Sequence, residues 1–354
     1  MWCETAEKTH PLNFFWPNKR ISAQVICFLL FALFIRSSLA ENNNAPSAAS
    51  ELSYQNLLFY YEQGNYLETL VRAPLQAQLA TQDTRQKDRQ ILFTRAYLQA
   101  GLFDEAENSL RTIPKNAISN EENNEVLLSL AKHYADQQNM TALNNTLQQL
   151  RPSQSAAQNN QKNYLLARYF FAQANYSASS LAFADITKNA VFYPYTRYNL
   201  AMSQLKNNQA QQAETTLVTL LNTLDPQPEH ASLRSRCSLA LGQLYLQTGQ
   251  YEKAREVLGQ IESNGIDSNA ALLGLGRSYQ LLGQNDKALA AWQALSQQDD
   301  MDSSVQHALL WIAMHYENTQ EQNQAVSAYQ HAINRYHQQL QALQQSQQGL
   351  KDST

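Results

Sequence analysis

Four histidines, His307, His315, His331 and His337, gather near the C-terminus, with Asp299, Asp300 and Asp302 just before them. These are the residues whose types could hold a metal. His307 and His315 share roughly one helical face but lie two turns apart, too far for a common ion. The aspartates lack the glycine and the distal glutamate of a calcium loop. Standing before a helix that begins near Ser304, they complement its dipole instead. Gly274-Leu275-Gly276 falls within a helical pattern and lacks the further glycine of a phosphate loop. No His-Glu-x-x-His or Cys-x-x-Cys spacing occurs, and no paired carboxylates converge in a readable motif. Asn139-Met140-Thr141, Asn144-Asn145-Thr146 and Asn175-Tyr176-Ser177 fit the N-glycosylation triplet, which matters only on a eukaryotic secretory route. The expectation is a protein that is not an enzyme, with no metal and no cofactor.

What does recur is a pattern for positioning helices. Leu241, Gly242, Tyr245, Gly249, Tyr251, Ala254, Leu258 and Ile261 are followed by Leu275, Gly276, Tyr279, Gly283, Asn285, Ala288, Trp292 and Leu295. Gly242 and Gly276, Tyr245 and Tyr279, Gly249 and Gly283, Ala254 and Ala288 are each 34 residues apart. A period of that size marks a stack of supersecondary units. Within one unit, Leu241, Gly242 and Tyr245 share a helical face. The small glycine admits a close second helix, Gly249 supplies the turn, and Ala254, Leu258 and Ile261 form the apolar stripe of that second helix. One such hairpin cannot bury its own apolar face, so neighbours must complete the core. Looser copies carry Tyr97, Gly101, Phe103 and Ala106; Leu130, Ala131 and Tyr134; Leu166, Ala167 and Phe170; and Leu200, Ala201 and Ala213. The first unit has Tyr60 and Gly64, and the last has Ala313, Tyr316 and Ala325. The third and fifth units have no turn glycine to fix their boundaries. Pro114, Pro152, Pro194, Pro226 and Pro228 fall between units, where helices must stop. Pro74 falls inside a helix, which is expected to bend or split there.

This pattern resembles the tetratricopeptide repeat, a hairpin with a small residue midway in its first helix and an alanine early in its second. The resemblance implies an all-α fold, a right-handed superhelical solenoid of about eight helix-turn-helix hairpins over residues 53–340. A polar linker (41–52) precedes it and a Gln-rich tail (341–354) follows. Leu340 and Leu343 could extend the last helix, whereas Gly349 to Asp352 reads as a frayed, solvated cap. In such arrays the first helices line a concave surface that takes a peptide or partner helix. The residues directly after the small one are Leu58, Arg95, Lys132, Arg168, Met202, Gln243, Arg277 and Met314. Arg95, Lys132 and Arg168 come from consecutive hairpins, so stacking aligns them, with Tyr164 and Tyr198 nearby on the same faces. Arginine binds carboxylates in bidentate fashion, which suits a carboxylate-bearing peptide. The competing reading is that these cations are ordinary helix residues paired with neighbouring Glu or Asp. The fuller set of Lys and Asn residues used by chaperone-tail-binding members is lacking, so that activity is not carried over.

Over 354 residues the net charge is −4, with 16% charged and 44% hydrophobic residues. That leaves no footprint for nucleic acid. Residues 1–40 read as a secretory leader: Lys19 and Arg20 precede an apolar run from Ile21 to Ile35, and Ser38 and Ala40 are the small residues a signal peptidase needs. Residues 1–17 make it long for such a peptide. The run is short for a span of about 20 residues, so an uncleaved inner-membrane anchor through 21–35 is the alternative. Cleavage removes Cys3 and Cys27 and leaves −6 on the remainder. Cys237 then has no internal disulfide partner; on an apolar helix face it is a small buried hydrophobe. The expected role is a protein-binding scaffold of the bacterial periplasm, or else a membrane-anchored assembly factor, with an enzyme acting on cell-wall polymers the least favoured alternative.

Overall fold

The computed structural model describes residues 48–79, 85–225, 227–263, 265–298 and 302–352. The leader, most of the linker, Pro226, Asp299 and Asp300 lie outside the described residues. Those described form sixteen α-helices and no strand. The helices are α1 (Ala48–Glu62), α2 (Tyr66–Leu79), α3 (Gln86–Gln99), α4 (Phe103–Thr112), α5 (Asn120–Asp136), α6 (Met140–Leu147), α7 (Ala156–Ala172) and α8 (Tyr176–Ala184). They continue as α9 (Tyr193–Lys206), α10 (Ala210–Thr223), α11 (Ala231–Gln247), α12 (Tyr251–Gly259), α13 (Ser268–Leu281), α14 (Asn285–Leu295), α15 (Ser303–Asn318) and α16 (Gln322–Asp352). Each odd helix packs on the even helix that follows it, and each hairpin packs on the next.

All eight hairpins turn in the same way. One residue in each is left-handed, with φ between +56° and +78°: Gly64, Gly101, Gln138, Ala174, Asn208, Gly249, Gly283 and Gln320. The following residue donates its N–H to the carbonyl four positions before that turn, as Asn139 does to Tyr134 (2.9 Å) and Gln284 to Tyr279 (2.8 Å). This caps the otherwise orphaned carbonyls of the first helix. The third and fifth units, with no turn glycine, therefore make the same turn through Gln138 and Asn208. A non-glycine residue there costs about 1–2 kcal/mol, and the packing on either side holds it.

Counting from the turn puts every unit in one register. Seven positions before it stand Leu57, Thr94, Ala131, Ala167, Ala201, Gly242, Gly276 and Ala313; five after it stand Thr69, Ala106, Leu143, Ser179, Ala213, Ala254, Ala288 and Ala325. None of the second set is more than 5% exposed. These are the points where the two helices of a hairpin touch. At Gly242 an added Cβ would collide with the Leu258 side chain, and at Gly276 with the Trp292 indole. The core lies between hairpins, in apolar clusters such as Leu273, Ala288, Trp292, Leu295, Val305 and Ala308. One polar bond repeats across hairpin joints: Tyr134 Oη donates to Glu107 (2.7 Å) and Tyr245 Oη to Glu214 (3.0 Å). Burial first, then that bond, pushes both phenols up to about 12.

Several expectations are corrected. Helix α1 begins at Ala48, inside the expected linker. The tail is not frayed: α16 runs to Asp352. Helix α2 runs unbroken through Pro74. Pro194 sits not between units but in the first turn of α9, where its missing N–H has no partner to lose. The triplets at Asn139 and Asn175 mark helix caps, each side chain accepting from an N–H three residues on.

Candidate functional site

Successive odd helices touch one another, while successive even helices do not pack to a comparable extent. The odd helices therefore line the inner side of the curve. Their ladder runs α1–α3–α5–α7 and again α9–α11–α13–α15; between α7 and α9 the join is made through α8. The character of the inner face changes at that same join.

In the first half it is a row of ion pairs. Thirteen residues before their turns, the first three units carry Glu51, Asp88 and Glu125; six before the turn, units two to four carry Arg95, Lys132 and Arg168. Arg95 pairs with Glu125 at 2.7 Å, with Glu122 at 4.0 Å. Lys132 reaches Asp136 at 3.8 Å, and Arg168 bonds the same Asp136 at 2.8 Å and the Ala135 carbonyl at 2.9 Å. Arg85 bridges Glu51 and Asp88, both at 2.7 Å. Hydrogen bonds from Gln55 and Arg85 hold the Glu51 carboxyl below its usual range. Arg95, Lys132 and Arg168 each already face a carboxylate. Surface pairs of this kind contribute about 0–1 kcal/mol each, yet an incoming carboxylate would have to displace them.

Tyr164 and Tyr198, expected beside the cations, are packing residues. Tyr164 has its ring 5.4 Å from Phe192 and 6.1 Å from Phe183, at the joint of the fourth and fifth hairpins. Burial raises its phenol, and pushes that of Tyr198 up to about 12. The Arg168 guanidinium does lie 5.9 Å over the Tyr164 ring.

The position thirteen before the turn has lost its acid by the fourth unit, at Gln161, and in the second half both positions change. Thirteen before the turn stand Tyr195, Arg236, Ala270 and His307; six before it stand Met202, Gln243, Arg277 and Met314. Arg277 is exposed, donates to the Gln280 side chain, and lies 5.8 Å over the Trp311 ring. Among the described residues neither Arg236 nor Arg277 has an ion-pair partner, although Asp267 is near enough to Arg236 to feel its charge. Burial raises the Asp267 carboxyl, with Arg236 acting against that rise. On α15, which also carries Trp311, Leu310 is 38% and Met314 42% exposed. Sequence reasoning picked out Arg277 and missed Arg236, Leu310 and Trp311. The signal that finds them is the column thirteen residues before each turn, which changes from acid through Gln161 to Tyr, Arg, Ala and His.

The histidines do not converge. His315 is buried with its ring centroid 6.4 Å from that of Trp292, His307 Nδ1 bonds the Ser303 carbonyl (2.6 Å), and His331 and His337 are exposed on α16. Asp302 caps α15, accepting from the Ser304 N–H at 2.7 Å. Cys237 is fully buried, and burial pushes its thiol up to about 12.

Residues 239–303 and 307–336 match two family models of the tetratricopeptide repeat. This part of the chain carries tetratricopeptide repeats. Its array is similar in structure to the C-terminal part of a TPR repeat-containing protein from Cytophaga hutchinsonii, with a TM-score of 0.52 at 16% identity, over 72% of this chain and 99% of that one. It is also similar to the apo form of RapI, with a TM-score of 0.51 at 9% identity, over 82% of this chain and 98% of that one. At such identities the likeness concerns the fold. No curated protein sequence matches the chain. Tetratricopeptide arrays are interaction scaffolds: stacked hairpins offer an extended curved surface to another protein.

Proposed function

We propose that this tetratricopeptide-repeat protein is a non-enzymatic scaffold that holds a partner protein along its inner face, anchored in the second half of that face. Carboxylates of the partner meet Arg236 and Arg277, and its apolar side chains meet Leu310, Trp311 and Met314. The observation that carries this is the contrast between the two halves: cations ion-paired in the first, and in the second, among the described residues, Arg236 and Arg277 without an ion pair, Arg277 lying over the Trp311 ring. A charge-assisted bond is worth about 1.5–3 kcal/mol, so each arginine should matter at least about tenfold in affinity. The test starts by crosslinking in cells from a photoreactive residue at position 277 and identifying the trapped protein. With that protein purified, Arg236→Glu together with Arg277→Glu should abolish binding, while reversing Arg95, Lys132 and Arg168 should weaken it far less. Equal losses from the pair and the triad, or none from the pair, would reject the assignment.

The proposal includes export to the bacterial envelope, which the apolar run 21–35 followed by Ser38 and Ala40 supports. Mass spectrometry of the protein from its native cells should find Glu41 as the first residue. A retained leader would instead favour the membrane-anchored assembly factor.

A further inference from the structure

A cavity of about 420 Å³ opens on the fifth hairpin, within the range of small-ligand sites. Lys188 of the α8–α9 connection, the first half of α9 and α10 line it. Leu200, Leu220 and Leu224, none more than 6% exposed, give it an apolar floor. None of its residues belongs to the inner-face site.

The chemistry of this cavity is set by a cation with nothing to balance it. Arg197 is half-buried. Its guanidinium lies 4.6 Å over the Tyr193 ring and donates from one Nη to the Phe183 carbonyl, while its Nε is buried with no hydrogen-bond partner. Burial lowers the guanidinium from its ordinary value, and only the Tyr193 hydroxyl acts against that fall. The second cation, Lys188, is exposed. No aspartate or glutamate lines the cavity, and among the described residues neither cation has an ion pair. A charge drawn out of water without a counter-ion is costly, so an arriving anion relieves a cost already present. On α10, Thr215, Thr216 and Thr223 spend their hydroxyl protons on carbonyls of their own helix, which leaves the two cations as the main attraction for a polar group. The cavity one hairpin on differs: Glu262 lines it together with Arg234, and an entering anion would meet like charge.

We infer that the cavity of the fifth hairpin takes a small apolar monocarboxylate, its carboxylate on Arg197 and Lys188 and its hydrocarbon body against Leu200, Leu220 and Leu224. Charge-assisted bonds then complete a guanidinium that the fold leaves short of partners. A phosphate or nucleotide is the poorer fit, because its remaining oxygens would press on leucine with no donor to meet them. Two sources carry the right chemistry, a free short-chain acid and the terminal residue of another chain.

Octanoate and a tripeptide ending in leucine serve as probes, titrated into the full chain by calorimetry. At least one should bind and raise the melting temperature, whereas octanol and the same peptide with an amidated terminus should not. Octanoate alone would identify a free acid as the source, the peptide alone a chain terminus. Lys188→Glu, at an exposed position, should leave helicity and melting unchanged and weaken the probe at least about tenfold. Arg197→Gln should abolish binding. Arg197 also caps α8, so that variant is read beside its melting curve, and Lys188→Glu decides where it fails to fold. No binding of either probe up to about 10 mM, equal binding of the uncharged controls, or full affinity in the Lys188→Glu chain would overturn the inference and leave Arg197 a helix cap alone.

Discussion

Trp292→Ala is expected to cost about 3–5 kcal/mol and to loosen the last hairpin from the array before the rest unfolds. The indole is fully buried in the joint between the seventh and eighth hairpins. It meets Gly276 on α13, and its Nε1 donates to the Leu273 carbonyl at 3.4 Å. On the other side it stands edge-on to Trp311, with ring centroids 5.4 Å apart. Alanine removes that contact from both hairpins at once, and helices fixed by their own turns cannot close the space. Urea titration followed by circular dichroism should show a lower midpoint and an early transition carrying part of the signal. A loss below about 1 kcal/mol would mean that the joint repacks and that Trp292 does not join the two units.

Gly276→Ala, one methyl group against the same ring, is expected to destabilise by about 1–3 kcal/mol. Two effects oppose each other. Alanine favours a helix interior over glycine by about 0.8–1 kcal/mol. Its Cβ would, however, stand 2.6 Å from Trp292 Cδ1 and nearer still to Nε1, closer than carbon atoms pack. A flexible side chain could turn aside; a fully enclosed indole cannot, so the clash wins. In a Trp292→Leu background the penalty should shrink, and the difference between the two costs measures the coupling. Gly349→Ala is the control, since an added Cβ there meets nothing within 4 Å. Chemical denaturation of the four chains settles the matter, and a Gly276→Ala protein as stable as its parent would refute the close approach.

The sequence was most legible where geometry admits few residues. Gly242, Gly276 and the four turn glycines announce themselves because a close helix contact or a positive φ narrows the choice to glycine. Gln138, Ala174, Asn208 and Gln320 make the same turn without that signature, because packing on both sides outweighs a backbone cost that only the unfolded chain would reveal. The cations of the inner face were legible as a row and illegible as pairs. Arg95 and Glu125 are 30 residues apart, Arg168 and Asp136 32, so those two bonds join two units and are invisible within either, whereas Lys132 and Asp136 lie four apart on one helix. The end of the chain hid for a different reason. From Gln338 on, glutamine fills most polar positions and reads as a solvated tail, whereas the helix continues to Asp352. Tyr164 and Tyr198 were misread because an aromatic ring three or four residues from a cation fits a binding face and a hairpin joint equally well.

Among the described residues, each helix of the array packs chiefly within its own hairpin and on the neighbouring one. Such a chain has no keystone. Drawn out by its two ends, it should give like a spring and surrender its units one after another, each at modest force, where a globular domain of the same mass would hold and then rip. A protein that must keep its grip while its surroundings shift gains from that compliance, since the curve can open or tighten along its whole length without any one joint having to break.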